Sequence, residues 1–338
     1  MRRYQHGGDI KAFAQDIGCS VDEVIDLSSN INFIKPSLDV DFNTIDISAY
    51  PNYDELYQLI AQRYHVDIDE IELYNGATTA IYSLFNTLNI KDISLYAPLY
   101  LEYERVSEIY GCDIEYINRF DDVDRSIKES SLVVFVNPST PDGRYYHLDR
   151  YISKWIDRGA TILIDESFLD FTPYSSAIEY LPRYDKLYIL KSFTKFYSSA
   201  GIRIGAIISQ KENIQYISKQ EPIWKLSQFD TLYLQSALRD ESFRDRAISA
   251  NSLAKEYLYD LLAEVPYIDE IYPSSANYLL VRLKEVDAPT LQSRLKPYKI
   301  LIRDCSNFTS LDSRYIRIAI KDMDSIDRLK EALCMISI

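Results

Sequence analysis

The sequence predicts an α/β fold, a mostly parallel sheet in a large domain joined to a smaller α+β domain. Between about residues 73 and 209, short runs of Val, Ile and Leu, such as Leu132–Val136 and Thr161–Ile164, alternate with segments of helical periodicity. This is the pattern of strands linked by crossover helices. From 229 to 265 the periodicity is long and helical, and beyond it strand patterns at 278–283, 300–303 and 315–320 alternate with helical ones at 290–295 and 325–335. That second pattern reads as α+β. A length of 338 residues with 47% hydrophobic content accommodates about two domains with ample cores. The expected division is an N-terminal arm over 1–45 packed with the small domain, a large domain over 46–225 and a small domain over 226–338. No Gly/Ser linker, repeat or low-complexity run separates them, so the domains are joined by structure and can hinge over a ligand.

The most informative segment is Lys191-Ser192-Phe193-Thr194-Lys195-Phe196-Tyr197-Ser198-Ser199-Ala200-Gly201-Ile202-Arg203-Ile204-Gly205. Small hydroxyl residues before Lys195 and an arginine after it can hold a phosphate beside an amine, and such a lysine can form a Schiff base with pyridoxal phosphate. The other needs of that cofactor can be sought in turn. Its ring nitrogen stays protonated only beside a carboxylate, and Asp165 closes the apolar run Thr161–Ile164. In an open α/β sheet the carboxyl ends of parallel strands carry the site. Asn137 ends the neighbouring run and leads into Pro138-Ser139-Thr140-Pro141-Asp142-Gly143, where it could reach the ring oxygen. Asn75-Gly76-Ala77-Thr78-Thr79 precedes a helical pattern through Ile81, Leu84, Phe85 and Leu88, a helix N-terminus suited to an anion. Tyr100, after Ala97-Pro98-Leu99, offers an aromatic face. Tyr50, in Ala49-Tyr50-Pro51, is a further candidate phosphate donor.

In this order these motifs resemble the aspartate-aminotransferase-like enzymes of fold type I over nearly the whole chain, and within them the histidinol-phosphate aminotransferases and the threonine-phosphate decarboxylases of cobalamin synthesis. The resemblance implies a seven-stranded, mostly parallel sheet and pyridoxal 5′-phosphate as cofactor. Lys195 is implied as the cofactor lysine and Asp165 as the partner of the pyridine nitrogen. Asn137 is implied near the ring oxygen, Tyr100 on the ring, and Gly76, Ala77, Thr78, Ser192 and Arg203 around the phosphate. Tyr50 is implied to reach the phosphate across a homodimer interface.

Several segments resemble the decarboxylase branch: His6-Gly7-Gly8-Asp9, Asp26-Leu27-Ser28-Ser29-Asn30-Ile31-Asn32, and Asp165-Glu166-Ser167-Phe168, with phenylalanine where most relatives have tyrosine. So do Ala276–Arg282, Ile300–Phe308 and Leu311–Ile320. The implied activity is decarboxylation of L-threonine O-3-phosphate, or of L-serine O-phosphate, to an amino-alcohol phosphate for the cobalamin nucleotide loop. His6, Asn30, Arg303 and Arg317 are the implied substrate residues. A histidinol-phosphate-type aminotransferase is the alternative, and a catalytically silent cofactor-binding regulator a third reading. Ser139-Thr140 with Asp142, Ser199-Ala200 and Thr309-Ser310 depart from the family pattern, which touches side-chain specificity rather than cofactor binding.

A net charge of -14 argues against nucleic acid or an anionic membrane as partner. Cys19, Cys112, Cys305 and Cys334 show no Cys-x-x-Cys spacing, so neither a metal site nor a disulfide framework is expected. No apolar stretch reaches bilayer length and Met1–His6 lacks an apolar signal core, so a cytoplasmic location is expected.

Overall fold

The computed structural model describes residues 7–336. Its strands are β1 (Ile25–Asp26), β2 (Ile71–Tyr74), β3 (Asp92–Ala97), β4 (Asp113–Asn118), β5 (Leu132–Val136), β6 (Thr161–Asp165), β7 (Leu187–Ser192), β8 (Gly205–Ser209), β9 (Ile268–Ile271), β10 (Tyr278–Leu283), β11 (Ile300–Leu301), β12 (Arg303–Asp304) and β13 (Tyr315–Ala319). Seven of them form one sheet in the order β2-β8-β7-β6-β5-β3-β4. Only β8 runs against its neighbours, and every other pair in that sheet is parallel. The seven-stranded, mostly parallel α/β fold expected from the sequence is thus present.

The central strands are apolar throughout because both faces are covered. Val133 and Phe135 of β5 point into one core with Ile162, Ile164, Ile189 and Ile208. Leu132, Val134 and Val136 point into the opposite core with Leu163, Leu190 and Ile207, beneath helix Ala77–Leu88. This period-two partition gathers strand ends into one crevice: Asp165 closes β6, Ser192 closes β7, and Asn137 follows β5 with its N–H bonded to the Asp165 carbonyl at 2.8 Å.

A second sheet, β12-β13-β10-β9, is antiparallel. Its core draws Leu279, Val281, Ile316 and Ile318 against Leu258 and Leu262 of helix Phe243–Ala263 and Leu329 of helix Met323–Met335. Ile25 and Leu27 of the N-terminal arm belong to this core. β1 pairs in parallel with β11, and the Ala319 N–H donates to the Leu27 carbonyl at 2.8 Å.

Two periodic runs divide where the sequence reads as continuous. The helical stretch from 229 becomes two helices, Gln228–Arg239 and Phe243–Ala263. At the break the Asp240 carboxylate accepts from the Ser37 N–H at 2.8 Å, the Ser242 hydroxyl at 2.8 Å and Arg246 at 2.6 Å, and such local bonds compete with helix continuation. The first of these helices packs Leu234 and Ala237 on the large core. The strand pattern at 300–303 splits at Ile302, whose N–H donates to the Gln292 side chain at 2.8 Å, so β11 serves the arm and β12 serves β13. Among the described residues, no helix is long and apolar enough to cross a membrane.

Candidate active site

Lys195 stands on a one-turn helix, Phe193–Phe196, directly after β7. Its Nζ lies 3.5 Å from Ser192 Oγ and 5.3 Å above the Phe168 ring. It makes no ion pair among the described residues. Burial lowers the Lys195 pKa below the ordinary lysine value, opposed by Asp165 and assisted by the charges of Arg203 and Arg317. A larger share of an amine so placed is unprotonated, and so available as nucleophile or base, than of a solvated lysine.

Asp165 is buried at the end of β6. Its Oδ2 accepts the Tyr103 hydroxyl at 2.8 Å and its Oδ1 accepts the Ser167 N–H at 2.9 Å. Tyr103 is a contributor that the sequence reading missed; its spacing of three from Tyr100, on the turn entering helix Glu102–Ile109, was the available signal. Burial raises the pKa of Tyr103 well above that of a free tyrosine, with Asp165 adding to the shift, so it stays a donor.

The phosphate end is built on a close approach of backbones. Gly76 caps helix Ala77–Leu88 at φ 83°, and a Cβ there would lie 2.7 Å from Arg203 Nη2. A Cβ on Gly205 would fall 2.5 Å from the Ala77 nitrogen. The positive φ at Gly76 and the backbone contact at Gly205 both favour glycine. Arg203 is anchored by its N–H to Asp230 at 3.2 Å and by Nη1 to the Ala200 carbonyl at 3.2 Å. Ser192 and Thr194 share a hydroxyl bond of 3.1 Å, and Thr78 and Tyr100 one of 3.3 Å.

One cavity brings together Ala77, Thr78, Tyr100, Asp165, Ser192, Lys195, Arg203, Asn30, Arg303 and Arg317. Gly76 borders it through Arg203. Asn137 does not line it: its Oδ1 accepts the Tyr146 N–H at 2.8 Å and its Nδ2 donates to the Tyr146 carbonyl at 3.0 Å. The need to satisfy that buried backbone turns the carboxamide aside and leaves one amide hydrogen unused among the described residues. Tyr50 is also outside the cavity, 73% exposed and stacked on Trp224 at 4.0 Å. His6 lies outside the described residues.

The far wall is cationic. Arg303 and Arg317 face each other across the β12–β13 register. Arg317 lies 5.0 Å over the Tyr278 ring, and donates through Nη1 to Thr140 Oγ1 at 3.1 Å and through Nη2 to the Ser28 carbonyl at 3.3 Å. Its Nε has no partner and it makes no ion pair among the described residues. Arg303 donates to Asn307 at 2.8 Å and lies 5.3 Å over Phe308. Burial lowers the pKa of both, and the charge of Arg317 adds to the lowering at Arg303. Asn30 adds a buried Oδ1 without a partner among the described residues. The Thr140 contact falls on a position where the chain departs from the family pattern.

A buried amine, a buried carboxylate that accepts two hydrogen bonds at a neighbouring strand end, and a helix N-terminus flanked by an arginine and two hydroxyls form a donor set that fits pyridoxal 5′-phosphate. The model of the family described as aminotransferase class I and II matches residues 23–333. A threonine-phosphate decarboxylase of Salmonella typhimurium is 28% identical, over 97% of this chain and 95% of that protein. A histidinol-phosphate aminotransferase of Methanocaldococcus jannaschii is 26% identical, over 98% and 94%. Among solved structures, histidinol-phosphate aminotransferase from Sinorhizobium meliloti in complex with pyridoxal-5′-phosphate is similar in fold, with a TM-score of 0.82, 18% identity and coverage of 96% and 92%.

Proposed function

The chain belongs to the class I and II aminotransferase family, and from that premise we propose that it decarboxylates a phosphorylated hydroxy-amino acid, L-threonine O-3-phosphate first. The observation that carries this reading is the pair of buried arginines, Arg303 and Arg317, facing a cavity floored by Lys195. With Arg203 committed to the cofactor phosphate, two further guanidiniums match a substrate with two anionic groups, a carboxylate and a phosphate. Histidinol phosphate has only one, whereas the 2-oxoglutarate of the aminotransferase alternative also has two, so the assay below separates the readings.

When bound, pyridoxal phosphate supplies the electron sink that makes loss of carbon dioxide from an amino acid feasible. The protein's part is to hold and orient. Gly76, Ala77, Thr78, Ser192 and Arg203 would take the cofactor phosphate, Asp165 the ring nitrogen and Tyr100 a ring face. Lys195, its pKa lowered by burial, is the group suited to exchange protons at the α-carbon. Arg317 and Arg303 would aim the carboxylate, using binding energy from the remote phosphate. Phe168, beneath Lys195, removes a hydroxyl that would otherwise compete there. Thr140 sets the direction of Arg317, so specificity would depend on it.

Two further expectations belong to this reading. The first is a homodimer: Tyr50 and Trp224 form an exposed aromatic stack beside Ile47 and Ile223, which are 70% and 77% exposed, a patch suited to a second copy. A fully active monomer in light scattering would contradict it. The second is a cytoplasmic location. The activity is tested by incubating the cofactor-loaded protein with O-phospho-L-threonine and trapping carbon dioxide, against histidinol phosphate with 2-oxoglutarate. Carbon dioxide from the first supports the proposal. Rapid amino transfer from the second without any carbon dioxide would replace it with an aminotransferase.

A further inference from the structure

A single helical turn cannot hold itself in place. Phe193–Phe196 is four residues long, and Ser198 then turns the chain through a left-handed conformation at φ 52°. The turn that carries Lys195 is instead gripped from the N-terminal arm. The Asn32 N–H donates to the Lys195 carbonyl at 3.0 Å, and Asn32 Nδ2 donates to the Phe196 carbonyl at 2.9 Å. Asn32 Oδ1 accepts from the Ile34 N–H at 3.1 Å and from Asn251 Nδ2 at 2.9 Å. Asn251 is fixed in turn by the Ala247 carbonyl at 2.8 Å on helix Phe243–Ala263. Asn32 is 2% exposed.

The residues just before Asn32 are tied to the small domain. The Ser28 carbonyl accepts from Arg317 at 3.3 Å, the Asn30 carbonyl from Asn277 at 3.0 Å, and the Ile31 carbonyl from Lys321 at 3.2 Å. Residues 28–32 are therefore a strap with one end on the arginine wall and the other on the lysine turn.

We propose that Asn32 is the positioning residue for Lys195, fixing the direction from which the amine meets the cofactor and tying it to the strap that contacts Arg317. The side chain suits this task because it donates to the turn and accepts from helix Phe243–Ala263 at once. Aspartate would keep the acceptor and lose the donor, and alanine would lose both. The inference rests on the pyridoxal phosphate reading of Lys195. Wild-type protein that takes up no cofactor would sink that reading, whereas the tests below compare variants with a wild type that does.

Visible circular dichroism of the bound cofactor and the half-time of its loss on dilution are measured alongside kcat and KM for Asn32→Ala, Asn32→Asp and Asn251→Ala. Asn32→Ala is expected to change the dichroic band, shed cofactor several-fold faster and lower kcat by roughly tenfold or more while KM moves less than about threefold. Asn32→Asp should not restore these values. Asn251→Ala leaves every bond from Asn32 to the turn and removes only an orienting donor, so it should move the same quantities less and add nothing to Asn32→Ala in the double variant. A lowered melting temperature with wild-type dichroism and cofactor half-time in Asn32→Ala would reduce Asn32 to scaffold and overturn the proposal. Should Asn32→Ala fail to fold, wild-type dichroism in Asn251→Ala overturns it in the same way.

Discussion

Lys191 and Lys195 lie four residues apart, yet their surroundings are opposite in kind. Lys191, on the far face of β7, is paired with Glu166, and the side chains of the two are 2% and 1% exposed. Glu166 also accepts the Ala177 N–H and the Ser176 hydroxyl, each at 2.6 Å, and Lys191 lies 4.3 Å over the Tyr64 ring. Lys195 faces the cavity with only a 3.5 Å contact to Ser192 and no acid in ion-pair reach among the described residues. A buried charge whose partners all come from the chain is part of the scaffold, and one with capacity to spare in a cavity is set up for a ligand. The same distinction separates Glu166 from Asp165, adjacent in sequence and pointing to opposite faces of the sheet.

Crossing the two lysines breaks or sharpens this contrast most. Lys195→Ala should lower turnover by roughly a thousandfold or more, with a melting temperature close to wild type. Lys191→Ala should leave the folded protein active and cost about 3–5 kcal/mol of stability, because Glu166 is left buried and unpaired; urea unfolding measures this. If both variants lost activity alike at unchanged stability, the distinction would be false.

Arg317→Lys keeps the charge and loses the fork, and should lower kcat/KM for the phosphoamino acid by roughly tenfold or more. Tyr103→Phe removes one donor from the buried Asp165 carboxylate, worth about 1–2 kcal/mol, so kcat should fall by roughly five- to thirtyfold in steady-state assays. A normal rate in that variant would show that Ser167 alone suffices for Asp165. The smallest effect is expected from Thr140→Val, which removes one hydroxyl contact to Arg317, worth about 1 kcal/mol or roughly fivefold in kcat/KM.

What was legible in the sequence followed local spacing. The alternation of apolar strands and helices marked a mostly parallel sheet, its seven strands came with the family resemblance, and strand ends marked by Asp165 and Ser192 lie in one crevice because parallel strands end together. What was not legible depends on bonds between distant segments. Asn32 reaches Phe196 across 164 residues and Tyr103 reaches Asp165 across 62; the spacing of Tyr103 from Tyr100 marks a shared face, but no periodicity names the distant partner. The Asn137 carboxamide is committed to Tyr146, a backbone demand invisible in the motif that contains it. The breaks at Asp240 and Ile302 arise from side-chain bonds that interrupt otherwise continuous hydrophobic patterns.

The central claim is that Lys195, and not its buried neighbour Lys191, bears the cofactor. Borohydride reduction of the protein loaded with pyridoxal phosphate, followed by peptide mass spectrometry, tests it directly. The expected result is a pyridoxyl group on Lys195 alone, close to one per chain. Stoichiometric label on Lys191 or any other lysine, with Lys195 unmodified, would contradict it.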